Sequence, residues 1–158
     1  MTNVAGVIEV ADPRAPDVQE LLARHLEFAA TQTPPEDTHA LDVDGLADPA
    51  VAFFAYREGG RLLAVGALKR LDHEHAEVKS MHTVEDARGR GIGRAMLDHL
   101  VATAREGGFR RVSLETGSMD AFAPARALYE SAGFRPCQPF AGYRRSANSA
   151  YMTLELTR

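Results

Sequence analysis

A mixed α/β fold, with a mostly antiparallel sheet flanked by helices, is predicted by three features of this 158-residue sequence. Apolar residues recur at helical spacing between Val18 and Ala29, and the period then shortens to strand-like runs between Val51 and Val84. A glycine-rich turn, Arg88-Gly89-Arg90-Gly91-Ile92-Gly93-Arg94, opens an amphipathic helix. Beyond it, strand and helix patterns alternate to the end, which is not the pattern of a purely antiparallel sheet.

Taken in order, Val7 to Val10 reads as a short first strand. Pro13 and Pro16 follow, and Asp17 is placed to cap a helix carrying Val18, Leu21, Leu22, Leu26 and Phe28 or Ala29 on one stripe. The stretch Thr31 to Pro49 is interrupted by Pro34-Pro35 and Pro49, as expected of a mobile or substrate-facing connection, and a short helix around Asp37 to Leu46 fits within it. Val51 to Tyr56 and Leu62 to Leu71 are rich in β-formers and flank the hairpin turn Glu58-Gly59-Gly60-Arg61. A third run, Ala76 to Val84, follows the polar turn Asp72-His73-Glu74-His75 and completes an antiparallel meander. After the glycine turn, Ile92, Ala95, Met96, Leu97, Leu100, Val101 and Ala104 form an apolar stripe that Gly107-Gly108 stops. Val112 to Thr116 alternates as a strand. Pro124 suits the first turn of a helix bearing Leu128 and Tyr129 and ended by Gly133, and Tyr151 to Leu156 is the last strand. No repeat, low-complexity tract or long linker divides the chain, so one domain over residues 1–158 is expected.

Composition excludes several functions. With 18 Lys and Arg against 22 Asp and Glu, the chain lacks the broad cationic face that general nucleic-acid binding requires. No run approaches the roughly 20 apolar residues of a membrane helix, and Met1 to Val10 has no basic stretch followed by an apolar core. Cys137 is the only cysteine, so no intrachain disulfide forms; a soluble protein of a reducing compartment, the cytoplasm, is expected. His73, Glu74 and His75 fall in an exposed hairpin turn, short of the three or four converging ligands of a zinc site, and no metal is expected.

Against that acidic background, Arg88, Arg90 and Arg94 cluster within seven residues at a helix start. Glycines let an anion approach the backbone, and the helix N-terminus adds about half a positive charge. The turn is therefore a phosphate site. Its spacing fails the dinucleotide pattern G-x-G-x-x-G in both registers, because Arg94 or Met96 stands at the third glycine, and the Walker pattern is absent. What remains is R-x-x-G-x-G, formed by Arg88, Gly91 and Gly93.

That run resembles the pyrophosphate-binding segment of the GCN5-related N-acetyltransferase superfamily. Ala125 to Phe134, a helix bearing Leu128-Tyr129 and ending in Gly133-Phe134, resembles the second signature of the same superfamily. The likeness covers essentially the whole chain and is strongest from Glu77 to Phe134, as in a small prokaryotic branch. It implies an acyl-CoA N-acyltransferase fold, acetyl-CoA as co-substrate, an amine acceptor, direct transfer and a possible homodimer. It places Met81, His82 and Thr83 on a splayed strand end along the pantetheine arm, and Gly89, Arg90, Ile92 and the rest of the turn from Arg88 to Arg94 around the pyrophosphate. Many relatives carry an asparagine against the coenzyme seven residues before the tyrosine; Phe122 stands there in this chain.

Attack of an amine on a thioester needs a neutral nucleophile and a proton for the departing thiolate. Glu77 matches the glutamate that serves as base in some members, and strand alternation groups it with Lys79, Met81 and Thr83; pairing with Lys79 is the other role open to it. Tyr129 matches the tyrosine that protonates the thiolate, a phenol with a pKa of about 10; packing in a helix interface is its alternative. Substrate contacts are expected from His39, in the proline-interrupted segment, and from Glu115, Thr116 and Ser118 after the penultimate strand, where a polar strand end and helix cap would use the same residues. A non-catalytic acyl-CoA-binding module is the alternative to an enzyme.

Overall fold

The computed structural model describes residues 6–34 and 42–156. The elements are β1 (Gly6–Val10), α1 (Pro16–Gln32), α2 (Val43–Leu46), β2 (Val51–Glu58), β3 (Arg61–Arg70), β4 (His75–Thr83), α3 (Ile92–Glu106), β5 (Arg111–Gly117), α4 (Ala123–Ser131), β6 (Arg135–Pro136) and β7 (Ser149–Glu155). Seven strands form one sheet in the order β1-β2-β3-β4-β5-β7-β6. All neighbours run antiparallel except β4 and β5, which are joined through the crossover helix α3 and run parallel. The mixed α/β expectation and the strand-by-strand reading hold, with one addition: the two-residue β6 lacks any hydrophobic period and pairs only through its backbone with Met152 and Thr153.

Each face of the sheet buries its own cluster. On one side Met96, Leu97, Leu100 and Ala104 of α3, with Tyr129 of α4 and Phe134, pack on Phe54, Ala64, Leu68, Ala76 and Val78. On the other, Val18, Leu21 and Leu22 of α1 and Leu46 of α2 cover Phe53, Ala55, Val65 and Ala67. Residues of β2 alternate between the two clusters as the pleat requires, whereas in β3 Leu63 and Ala64 both join the first cluster, where the register with β2 shifts between Tyr56 and Arg57.

Asp17 is not the cap of α1. Ala15 occupies that position without a side-chain bond, Pro16 supplies the pre-set first turn, and Asp17 instead accepts from Arg57 of β2 at 2.7 Å. That bond holds the Asp17 carboxyl below its ordinary pKa. Of the expected helix around Asp37 to Leu46, Val43–Leu46 is present and capped by Asp42, whose carboxylate accepts from Gly45 N at 2.9 Å; positions 37–41 lie outside the described residues. His75 is likewise not an exposed turn residue. It opens β4, is buried, and its Nε2 lies 2.7 Å from Ser113 Oγ.

Candidate active site

The parallel pair β4–β5 is the opening in this sheet. Register runs only over His75↔Arg111, Ala76↔Val112 and Glu77↔Ser113, after which the strands part. The splay thus begins at Glu77, several residues before the expected Met81 to Thr83. A cavity of about 520 Å³ occupies the gap and reaches both faces, touching His25 and Phe28 of α1 as well as Ile92, Leu128 and Tyr129 of α3 and α4.

A second irregularity sets which side chains line it. Val65 pairs with His82 but Ala67 with Lys79, so Gly66 opposes two residues, a β-bulge. Ser80 takes φ 57, a left-handed conformation that costs a non-glycine residue about 1–3 kcal/mol and is concentrated at functional sites. Its hydroxyl is buried with no hydrogen-bond partner among the described residues. The bulge overturns the simple alternation of Glu77, Lys79, Met81 and Thr83. Met81 packs with the α3-side cluster, and Thr83 Oγ1 lies near Gly93 on α3, whereas His82 meets His25 of α1. His82, not Met81, therefore continues the face of Glu77 and Lys79.

At one mouth of the cavity lies the glycine turn. Gly89 and Gly91 have φ 81 and 82, and a Cβ on either would meet nothing within 4 Å, so the space over the turn is open. The first bond of α3 is Ala95 N to Gly91 O at 3.0 Å. The N–H groups of residues 89–94 have no acceptor among the described residues, and the helix dipole adds to them. The arginines hold protein partners. Arg90 bonds Glu58 at 2.6 Å and does not line the cavity; Arg94 bonds Asp98 at 2.9 Å and Ser131 Oγ at 3.2 Å; Arg88 reaches Thr83 O at 3.3 Å. The open donors at this turn are thus backbone N–H groups, with Arg88 and Arg94 on its rim.

In the middle of the gap, Tyr129 is 8% exposed, and burial, with the Glu115 charge adding to it, pushes its hydroxyl up to about 12. Glu77 is buried and its Oε2 accepts from the Tyr143 hydroxyl at 2.6 Å and from Lys79 Nζ at 3.2 Å; Lys79 also donates to Tyr143 Oη at 2.7 Å. His25 and His82 approach Nδ1 to Nδ1 at 3.3 Å, so one ring donates and the other accepts. Burial brings both to about 4, and they are neutral at pH 7. Phe122 stands edge-on to Phe28 at 5.3 Å between centroids and covers Gly117, where a Cβ would strike its ring.

Of the expected substrate residues, Glu115 and Thr116 line the cavity. Ser118 does not; its hydroxyl bonds Ala147 O, on the segment leading into β7. His39 lies outside the described residues. His25, Phe28 and Tyr143 carried no individual site role in the sequence, where Phe28 is placed only on the stripe of the first helix. His25 falls between Leu22 and Phe28 on the α1 stripe, and that spacing was a usable signal; Tyr143 sits in an irregular segment that has none.

A sheet split between a parallel pair, with an open glycine turn at the start of a helix beside the gap, is the architecture of acyl-CoA N-acyltransferases. A sequence profile of the acetyltransferase (GNAT) family matches residues 15–134, and the chain belongs to that family. It is 42% identical to the uncharacterized N-acetyltransferase YsnE of Bacillus subtilis over 94% of this chain and 99% of that protein. Likewise it is 36% identical to an IAA acetyltransferase of Azospirillum brasilense over 96% and 97%. Among solved structures, a Klebsiella pneumoniae protein described as an acyl-CoA N-acyltransferase superposes with a TM-score of 0.82 at 25% identity, covering 96% of this chain and 98% of its own. A GNAT family acetyltransferase of Elizabethkingia anophelis with acetyl-CoA bound shares the fold at a TM-score of 0.71 and 16% identity, over 98% and 100%. The chain is an N-acetyltransferase of the GNAT type.

Proposed function

We propose that the protein transfers acetyl directly from acetyl-CoA to the amine of a small molecule, amino acid or peptide. The observation that carries this reading is the continuity of one cavity from the open N–H cradle at Gly89–Arg94 to the Tyr129 hydroxyl. The cradle fits a pyrophosphate: its glycines leave the approach clear and its amides lack acceptors among the described residues. Bound there, acetyl-CoA supplies an activated thioester.

Each residue then has a defined task. Met81, His82 and Thr83 form the β4 wall beyond the split, where unpaired backbone groups are available to the donor's arm. Tyr129, held protonated by burial, donates its proton to the leaving sulfur. Glu77 is the β4 carboxylate on the acceptor side and takes the amine proton; Lys79 and Tyr143 fix its orientation. Phe122 with Phe28 walls the gap with aromatic surface where an asparagine would have offered a hydrogen bond. Calorimetric titration with acetyl-CoA tests the donor, and thiol release across a panel of amines, amino acids and peptides tests transfer. A chain that does not bind acetyl-CoA overturns the reading.

A further inference from the structure

Glu77 and Lys79 are 2% and 9% exposed, and both line the cavity with their charged ends 3.2 Å apart. Tyr143 is not a cavity-lining residue, yet its hydroxyl bonds both of them. It fixes the pair from the side away from the cavity. An ammonium has three N–H donors, and two of Lys79's are directed at Glu77 and Tyr143; a carboxylate has two oxygens, and both bonds on Glu77 fall on Oε2. One cationic donor and one anionic acceptor remain, side by side on the wall. A buried ion pair is costly unless its remaining protons and lone pairs are met, and the neighbouring Ser80 hydroxyl also lacks a partner among the described residues.

We infer that the acceptor is a free α-amino acid, its carboxylate held by Lys79 and its ammonium by Glu77, with Tyr143 as the positioning residue. This rests on the acetyl-CoA-dependent reading above. An α-amino acid carries adjacent opposite charges on one carbon and is the mirror of this pair. A peptide N-terminus replaces the carboxylate with a neutral amide, and a decarboxylated amine offers Lys79 nothing. The rest of the wall on this side, the neutral His25–His82 pair and the Phe28–Phe122 contact, suits an apolar side chain.

The test compares leucine, leucinamide, the dipeptide Leu-Gly and 3-methylbutylamine as acceptors in acetyl-CoA thiol release with the full chain. Leucine is expected to exceed the other three in kcat/KM by roughly 10- to 100-fold, the value of a charge-assisted hydrogen bond. Tyr143→Phe is expected to shrink the leucine-to-leucinamide ratio, whereas a purely structural role would lower both substrates together and leave the ratio intact. Equal or better turnover of leucinamide, Leu-Gly or the amine overturns the inference and leaves the acetyltransferase reading standing. So does the absence of thiol release with all four acceptors while acetyl-CoA still binds in calorimetry. Loss of acetyl-CoA binding itself overturns both.

Discussion

Gly91 offers a direct test of the phosphate cradle. It has φ 82 at the N-cap of α3, and an added Cβ would meet no atom within 4 Å, so the cost of Gly91→Ala is conformational rather than steric. An alanine in the left-handed region costs about 1–2 kcal/mol. If the turn keeps its shape, that strain appears as lost stability, about 2–8 °C of melting temperature for a chain of this size. If it relaxes, the N–H groups of Ile92, Gly93 and Arg94 no longer converge, and the same energy raises the acetyl-CoA Kd by roughly 5- to 30-fold. Gly91→Asn should show much less of either effect, because asparagine tolerates this region. Gly60 supplies a matched control: it has the same φ of 82 and equally open space, but lies in the β2–β3 hairpin, so Gly60→Ala should cost stability and leave Kd alone. Calorimetric titration and thermal melts of the three variants measure both terms. Wild-type affinity and melting in Gly91→Ala, or an equal loss of affinity in Gly60→Ala, would refute the backbone-cradle argument.

Three further outcomes follow from the site. Tyr129→Phe should lower kcat by about 10²- to 10⁴-fold while acetyl-CoA affinity changes little, since it removes only the hydroxyl proposed as proton donor; an unchanged kcat removes Tyr129 from the chemistry. Gly117→Ala places a methyl group in the Phe122 ring and should cost about 1–3 kcal/mol by overpacking, with Phe122→Ala in the same chain recovering part of it; additive melting shifts would show that the two sites do not touch. His25 and His82 are held near 4 in the fold against 6.5 when unfolded, so the unfolded chain binds more protons between those values and stability falls as pH drops from 6.5 toward 4. Replacing both with glutamine should flatten that part of the melting-temperature curve, and superimposable curves would show that the pair does not titrate in this way.

The scaffold was legible because its signals are local. The Gly59-Gly60 hairpin, the stripe from Ile92 to Ala104 and its Gly107-Gly108 stop each follow from a few adjacent residues, and all appear where the pattern puts them. The glycine turn was legible for the same reason. What the sequence concealed depends on register between distant strands. Nothing near Ser80 announces that Gly66, fourteen positions earlier, faces two residues at once, and without that shift Met81 and His82 are assigned to the wrong faces. Tyr143 is similar: it reaches Glu77 across 66 positions from a segment with no regular structure. His25 was recoverable, since its place on the α1 stripe already turned it toward the sheet.

The bulge also bears on how this strand tolerates changes of length. Ser80 is a supernumerary residue in β4, inserted between two stretches that each keep the ordinary pleat. An in-frame loss of its codon would restore an unbroken alternation in which Glu77, Lys79 and His82 still share one face and Val78, Met81 and Thr83 the other. Loss of one codon normally inverts everything downstream in a strand. Here a shortened allele would keep every side chain on its side, leave His82 opposite Val65 and Lys79 opposite Ala67, and remove the one left-handed serine. Length variation among descendants of this chain should therefore be admitted in β4 at this codon and be purged at its neighbours.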